Sequence, residues 1–238
     1  MKNQRDMDTI LHYIMSLIGG FLGTYALLLR GGNFGSAQTG NFLEAMISLS
    51  EGDFTSVAIR AGGGIVYASA LIFSYLLSNC TNVNMKTMVL KVEVVGLLIA
   101  AMIPETADPI LALYPIFAMM SFQWGTYSGA KGYNSASIFT TNNFKQCVLG
   151  WTQYIHQHDP KAKEKACLYT FTVFSFLGGA LLGAVSTEYL GTYAAFICYV
   201  PLFAAYTVLL CSQRSAEMVL EVLEQTDHCQ ISQPSVRE

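Results

Sequence analysis

Charge is scarce in this sequence. Only 12% of its 238 residues are Asp, Glu, Lys or Arg, about half the share of an ordinary soluble domain, which argues against a surface built for water. The net charge of -3 shows no basic excess, so nucleic acid is not expected as a partner. Cys80, Cys147, Cys167, Cys198, Cys211 and Cys229 are scattered singly, with no C-x-x-C pair; this speaks against a zinc ribbon or a disulfide framework. No paired carboxylates, nucleophile–base pair or metal-ligand spacing stands out. The chain is therefore not expected to be an enzyme or to hold a cofactor or metal. His156-Gln157-His158-Asp159 has the residue types of a metal cluster but sits in a basic loop and reads as solvated. Lys2 and Arg5 precede an apolar stretch without an A-x-A cleavage signal, so that stretch reads as a retained first helix.

What the sequence has in quantity is apolar. Hydrophobic residues make up 53% of it and the mean hydropathy is +0.40. They fall in runs of roughly twenty, the length that crosses a hydrocarbon core of about 30 Å. Long runs are expected at about 10–30, 57–79, 86–103, 109–131, 166–187 and 192–212. Two shorter segments, about 39–50 and 140–155, each follow a Gly/Asn/Ser stretch that is poor helix material. Residues 213–238 form a polar, mainly acidic tail, expected to be frayed.

The chain also repeats itself. Gly23-Thr24-Tyr25 recurs as Gly125-Thr126-Tyr127, 102 positions later, and Thr39-Gly40-Asn41-Phe42 matches Thr141-Asn142-Asn143-Phe144 at the same offset. Arg30-Gly31 lines up with Lys131-Gly132 once a single-residue gap is allowed. Each half, 1–104 and 105–212, reads as a long helix, a linker, a short Thr-x-Asn-Phe helix and two long helices. If the short helices span, the halves are parallel. If they re-enter, each half crosses three times and the repeat is inverted. A helix from Thr39 to Ser50 is about 18 Å long, half a bilayer. With re-entry, Lys2, Arg5, Lys86, Lys161, Lys163, Lys165 and Arg214 share one side, and Glu51, Asp53, Glu105, Asp108 and Glu188 the other. This is a positive-inside pattern. The fold expected is an all-α transmembrane bundle of six spans plus two re-entrant half-helices. It is placed in the plasma membrane with both termini cytoplasmic.

Re-entrant backbone must be satisfied by protein or water, not lipid. Gly31, Gly32 and Gly132 allow tight paths, and Asn33, Ser36, Gln38, Asn134 and Ser137 offer side-chain partners. Thr39 and Thr141 read as N-caps. Two half-helices entering from opposite faces bring their positive ends together near the midplane, a place for an anion or polar group. The expected substrate-binding residues are Gln38, Thr39, Gly40, Asn41 and Glu44 with Thr140, Thr141, Asn142, Asn143 and Lys145. Tyr25, Asn33, Tyr127 and Asn134 are expected to line the pathway. Glu44 and Lys145 occupy nearly equivalent places and can pair or bind substrate in turn. Arg30 and Lys131 are expected to snorkel to the interface, and Glu93 to lie deep enough to need a partner. Gly62-Gly63-Gly64 and Gly178-Gly179-x-x-x-Gly183 permit close helix approach within the bundle or in a homodimer.

At Thr39-Gly40-Asn41, after a Gly-rich linker and with a degenerate second copy near 140–143, the chain resembles the YoaK-like family of small bacterial membrane proteins. The resemblance covers nearly the whole chain, although Gln38 stands where that family's M-T-G-N signature has Met and Thr140-Thr141-Asn142-Asn143 is an imperfect copy. It implies about six spans and no established activity. The function expected from the residues is a transporter or channel-like carrier of a small polar or anionic solute; the alternative is a non-transporting scaffold or partner subunit.

Overall fold

The computed structural model describes residues 2–231, with side chains from 4 to 216. Helices α1 (Lys2–Leu29), α2 (Gln38–Ser50), α3 (Phe54–Cys80) and α4 (Met85–Met102) form the first half. After a 3-10 turn at Leu111–Leu113 come α5 (Tyr114–Thr126), a two-stranded hairpin, α6 (Thr141–Gln157), α7 (Pro160–Leu190), a 3-10 segment at Gly191–Cys198 and α8 (Tyr199–Ile231). The fold is all-α apart from that hairpin. Among the described residues, three helical runs are long and apolar enough to cross a membrane: Gln4–Leu29, Phe54–Cys80 and Pro160–Ala216. Large apolar side chains such as Ile65, Phe73, Leu181 and Phe203 stand on the outside, as a lipid-facing surface requires.

Capping residues start three of the helices. Asp53 accepts from the Ser56 amide at 3.1 Å, Asn84 from Thr87 at 3.2 Å and Asp159 from Lys161 at 3.0 Å. Hydrogen bonds from the Ser56 hydroxyl and amide hold the exposed Asp53 carboxyl below the usual carboxylate range.

Cross-helix contacts fix the directions. Asp8 of α1 meets Lys86 of α4 at 2.6 Å, and Arg30, just past α1, reaches the carbonyls of Ile103 and Pro104, just past α4. These two helices run the same way. Gly179 and Gly183 of α7 lie against the Leu17 and Phe21 backbone of α1 in the same order, so α7 runs with them. The glycines make this crossing possible, since a Cβ at Gly179 would overlap the Leu17 carbonyl. Tyr114 and Ser121 of α5 donate to the Ile59 and Tyr67 carbonyls of α3 at 2.6 and 2.8 Å, which makes α3 and α5 parallel. Gln123 of α5 donates to Met15 of α1, while Gly35, beyond α1's end, sits between Ala26 of α1 and Ile116 of α5; α1 and α5 are antiparallel. Finally, the Tyr25 hydroxyl reaches the Thr192 carbonyl and Gln4 reaches Ser212. The chain therefore turns back at Gly191 (φ 53°) and α8 descends along α1. Helices α1, α4 and α7 point one way; α3, α5 and α8 point the other.

Several expectations are corrected. The run expected to reach Lys131 stops at Thr126, because the chain turns into an antiparallel pair, Gly129 with Asn134 and Ala130 with Tyr133. Its two-residue turn, Lys131-Gly132, has φ of 54° and 83°, the left-handed pair a tight hairpin requires. The tail expected to fray from 213 continues as helix to Ile231; Ala216, Leu220, Glu221 and Leu223 favour helix, and neither Gly nor Pro interrupts. Residues 232–238 lie outside the described structure. Neither threonine caps its helix: α2 starts at Gln38 after Ala37, and Thr140 precedes α6, both without a side-chain cap bond. Arg30 does not snorkel. It is 1% exposed, because the last carbonyls of α4, orphaned where that helix ends, draw its guanidinium inward. Lys131 does stay at the edge, 3.7 Å from Glu164.

Candidate functional site

Positions 12, 15, 19, 22 and 26 of α1 are spaced three and four apart and share one face of the helix. His12, Met15, Leu22 and Ala26 there are buried, and Gly19 leaves the backbone open. The two non-helical linkers press onto this face from opposite ends. From one end Gly35 lies against Ala26 and Ile116, so close that a Cβ would stand 2.6 Å from an Ile116 methyl. From the other, the Ser137 carbonyl occupies the place a side chain at Gly19 would need. Ala26 and Gly19 are seven residues apart, about 10 Å along the helix. Leu22, 0% exposed, fills the level between them.

The duplicated asparagines hold the linkers. Asn41 donates its amide to the Phe34 carbonyl at 3.4 Å and to Gln38 Oε1 at 3.2 Å. Asn143 donates to the Ala136 carbonyl at 2.6 Å and the Phe139 carbonyl at 3.4 Å. Around Asn143 a polar network extends into the bundle. Ser135 Oγ donates to Asn143 Oδ1 at 3.1 Å, and His12 Nε2 lies 3.0 Å from Ser135 Oγ. Since the serine's proton is already committed to Asn143, His12 is the donor and carries its hydrogen on Nε2. Gln123 donates to the Met15 carbonyl at 2.8 Å and to Ser137 Oγ at 3.0 Å. His12 Nδ1, Gln123 Oε1 and Thr140 Oγ1 are buried and without a partner among the described residues. Two acceptors and a hydroxyl are thus left unpaired beside the second linker.

Beneath this network, at the end where α1 begins, lies a cavity of about 1070 Å³. Its wall includes Arg5, Asp8 and Lys86, the Gly125-Thr126-Tyr127 copy and the hairpin through Asn134. On that wall Lys86 is paired with Asp8 at 2.6 Å and Lys131 lies 3.7 Å from Glu164, while Arg5 adds a further positive charge.

The expected site residues divide. Asn41 and Asn143 are buried, and Gln38 joins Asn41. Gly40 is partly buried, while Thr39, Glu44, Thr141, Asn142 and Lys145 are exposed on the outer faces of α2 and α6. Glu44 and Lys145 do not meet; Glu44 lies 3.7 Å from Arg60 of α3. Tyr25 is fully buried and donates to the Ala100 carbonyl at 3.1 Å. Tyr127 lines the cavity, and its hydroxyl reaches the Lys86 carbonyl at 3.2 Å. The two copies of Gly-Thr-Tyr thus tie to opposite ends of α4. Asn33 donates to the Arg30 carbonyl at 2.6 Å and accepts from Arg60 at 3.1 Å, while Asn134 lines the cavity and its carbonyl accepts from Tyr169 at 2.7 Å. Glu93 is buried, but neither oxygen finds the partner expected of it among the described residues. His12, Gln123 and Ser135 were not among the expected site residues. For His12 and Gln123 the available signal was a polar side chain inside an apolar run; Ser135 stands in the Gly/Asn/Ser linker.

The family described as a protein of unknown function, DUF1275, matches residues 11–208, and the chain belongs to it. No curated protein and no solved structure matches.

Proposed function

We propose that this member of the DUF1275 family is a membrane carrier for a small polar or anionic solute. In this reading the chain crosses the bilayer six times, and α2 and α6 are half-helices that enter from opposite faces. The alternating directions of the long helices support that path, as does the meeting of the two linkers on one face of α1. The positive-inside rule places Arg5, Lys86, Lys131, Lys161, Lys163 and Lys165 in the cytoplasm. The start of α1 and the Ser212 level of α8 follow, because Gln4 and Ser212 bond to each other. The plasma membrane of the cell is the setting this implies.

One observation carries the solute site: the open acceptors His12 Nδ1 and Gln123 Oε1, which take an O–H or N–H group of a neutral solute or of an anion that carries such a donor, stand beside the Asn143-held linker, above the cavity lined by Arg5 and Lys86. Solute enters from the cytoplasmic cavity and bonds there and at the asparagine-held tips. Leu22 closes the level beyond, as one closed gate of an alternating-access cycle would. A homodimer belongs to the same reading, since Asn142 and Lys145 on α6 are exposed and lipid is a poor neighbour for both.

The test is flux. The purified chain in lipid vesicles is challenged with labelled small anions and neutral polar solutes. Asn41→Ala and Asn143→Ala should abolish uptake while still inserting and eluting as folded protein. Normal uptake in both variants sinks the central site. A second reading, a non-transporting scaffold, is favoured by the filled level at Leu22; it predicts no flux of any probe in the unaltered protein.

A further inference from the structure

We propose that Glu93 is a proton-binding site and that solute passage is coupled to its protonation, an inference that rests on the carrier reading above. Glu93 lies midway along α4. It is 0% exposed, and neither carboxylate oxygen has a hydrogen-bond partner among the described residues. On its own helix neither neighbouring cation reaches it. Lys86, two turns away, is bound to Asp8 at 2.6 Å, and Lys91 is exposed on the outer side. From the other elements, the titratable groups within electrostatic reach are the Tyr127 hydroxyl and the Cys198 thiol. Neither is a cation, and the Tyr127 hydroxyl is already donated to the Lys86 carbonyl.

A carboxylate buried among such neighbours has no compensation for its lost hydration, and binding a proton removes the charge that incurs the penalty. Burial alone describes many structural acids. What sets Glu93 apart is the cavity of about 1070 Å³ that opens at the cytoplasmic end and is lined by Tyr127 and Lys86: its water comes within two turns of α4, about 10 Å, of Glu93. The step is a simple one. An O–H bond forms on the Glu93 carboxylate with a proton taken from cavity water, and the same bond breaks when the proton is returned to water; no other bond changes. The bundle rearranges more readily with the neutral acid, which moves no buried charge, and returns more slowly with the carboxylate; with no solute bound this cycle still carries protons.

The test uses the full chain and does not need the solute. Infrared spectra of the protein in lipid should show a protonated-carboxyl band that diminishes as the buffer is taken from mildly acidic to alkaline, and Glu93→Gln should lack it. Vesicles loaded with a pH-sensitive dye and given an inside-negative potassium diffusion potential should take up protons. Glu93→Gln should fall to the rate of protein-free vesicles and Glu93→Asp should recover part of the loss, both eluting as folded protein. A carboxyl band indifferent to pH, or equal proton uptake in Glu93→Gln, overturns the proposal. The carrier reading fails differently: protons pass through Glu93 while no labelled solute does.

Discussion

Asn41 and Asn143 each donate a side-chain amide to the carbonyl seven residues before it, Phe34 in one case and Ala136 in the other. The recipients are as far apart in sequence as the donors. Two residues at one offset can match by chance; two residues making the same loop-closing bond at that offset share a local structure. The linkers they close enter from opposite ends of α1. A similar pair of left-handed residues starts each linker, Gly31-Gly32 with φ of 61° and 79° and Lys131-Gly132 with 54° and 83°.

The two latches differ in strength, and unfolding should show it. Asn143 is 1% exposed, and its removal leaves the Ser135 hydroxyl and two carbonyls short of a partner. Each buried group so orphaned costs about 1–3 kcal/mol. Asn41 makes only longer bonds, at 3.2 and 3.4 Å. Asn143→Ala should therefore lower the unfolding temperature in detergent more than Asn41→Ala. Equal losses would mean that the network through Ser135 and His12 contributes nothing.

Much of this was legible in the sequence because it is written in local pattern. Apolar runs located the long helices, and Thr-x-Asn-Phe located the shorter helices α2 and α6. Charge alternation anticipated that Asp53 and Lys161 lie at opposite ends of the bundle. What stayed hidden depends on distant partners. Arg30 reads as an interfacial cation until the end of α4 is placed beside it. His12 reads as a stray polar residue in α1 until Ser135 arrives from 123 residues away. The alignment of Arg30 with Lys131 was off by one, since backbone conformation pairs Gly31 with Lys131; lysine in a left-handed turn carries no sequence signature of its kind.

Topology has a direct chemical test. Single cysteines placed at Asp53 and at Lys161, on a background lacking the native cysteines, should react with an impermeant thiol reagent from opposite faces of sealed vesicles. Asp53 opens α3 beside the α2 end and Lys161 opens α7 beside the α6 end. Labelling from the same side would reject the inverted arrangement, because the two half-helix hairpins would then enter together.

Arg30 should be intolerant of lysine. Its Nη1 and Nη2 reach two successive carbonyls, Pro104 at 2.9 Å and Ile103 at 3.0 Å. A planar fork spans them and an ammonium on a flexible stem does not. Arg30→Ala should cost about 2–4 kcal/mol through the two lost charge-assisted bonds, and Arg30→Lys should recover less than half of it. Full rescue by lysine would mean that charge alone, without the bidentate geometry, ties α1 to α4.

Leu22 separates the carrier from the scaffold. It fills the level of α1 between the two linker contacts, at Gly19 and Ala26. Truncating a fully buried leucine costs about 2–5 kcal/mol in any packed core, so Leu22→Ala should lower the unfolding temperature under either reading. Only a carrier has something on each side of that level to be joined. In a carrier, removing the side chain opens the approach from the His12–Gln123 network toward the Asn41 tip, and solute should leak down its gradient faster than in the unaltered protein. In a scaffold, the same substitution loosens the bundle and passes nothing. A destabilised Leu22→Ala protein that remains impermeable to every probe, alongside an impermeable unaltered protein, would therefore remove the pathway and leave α1's polar face as a device for holding helices together.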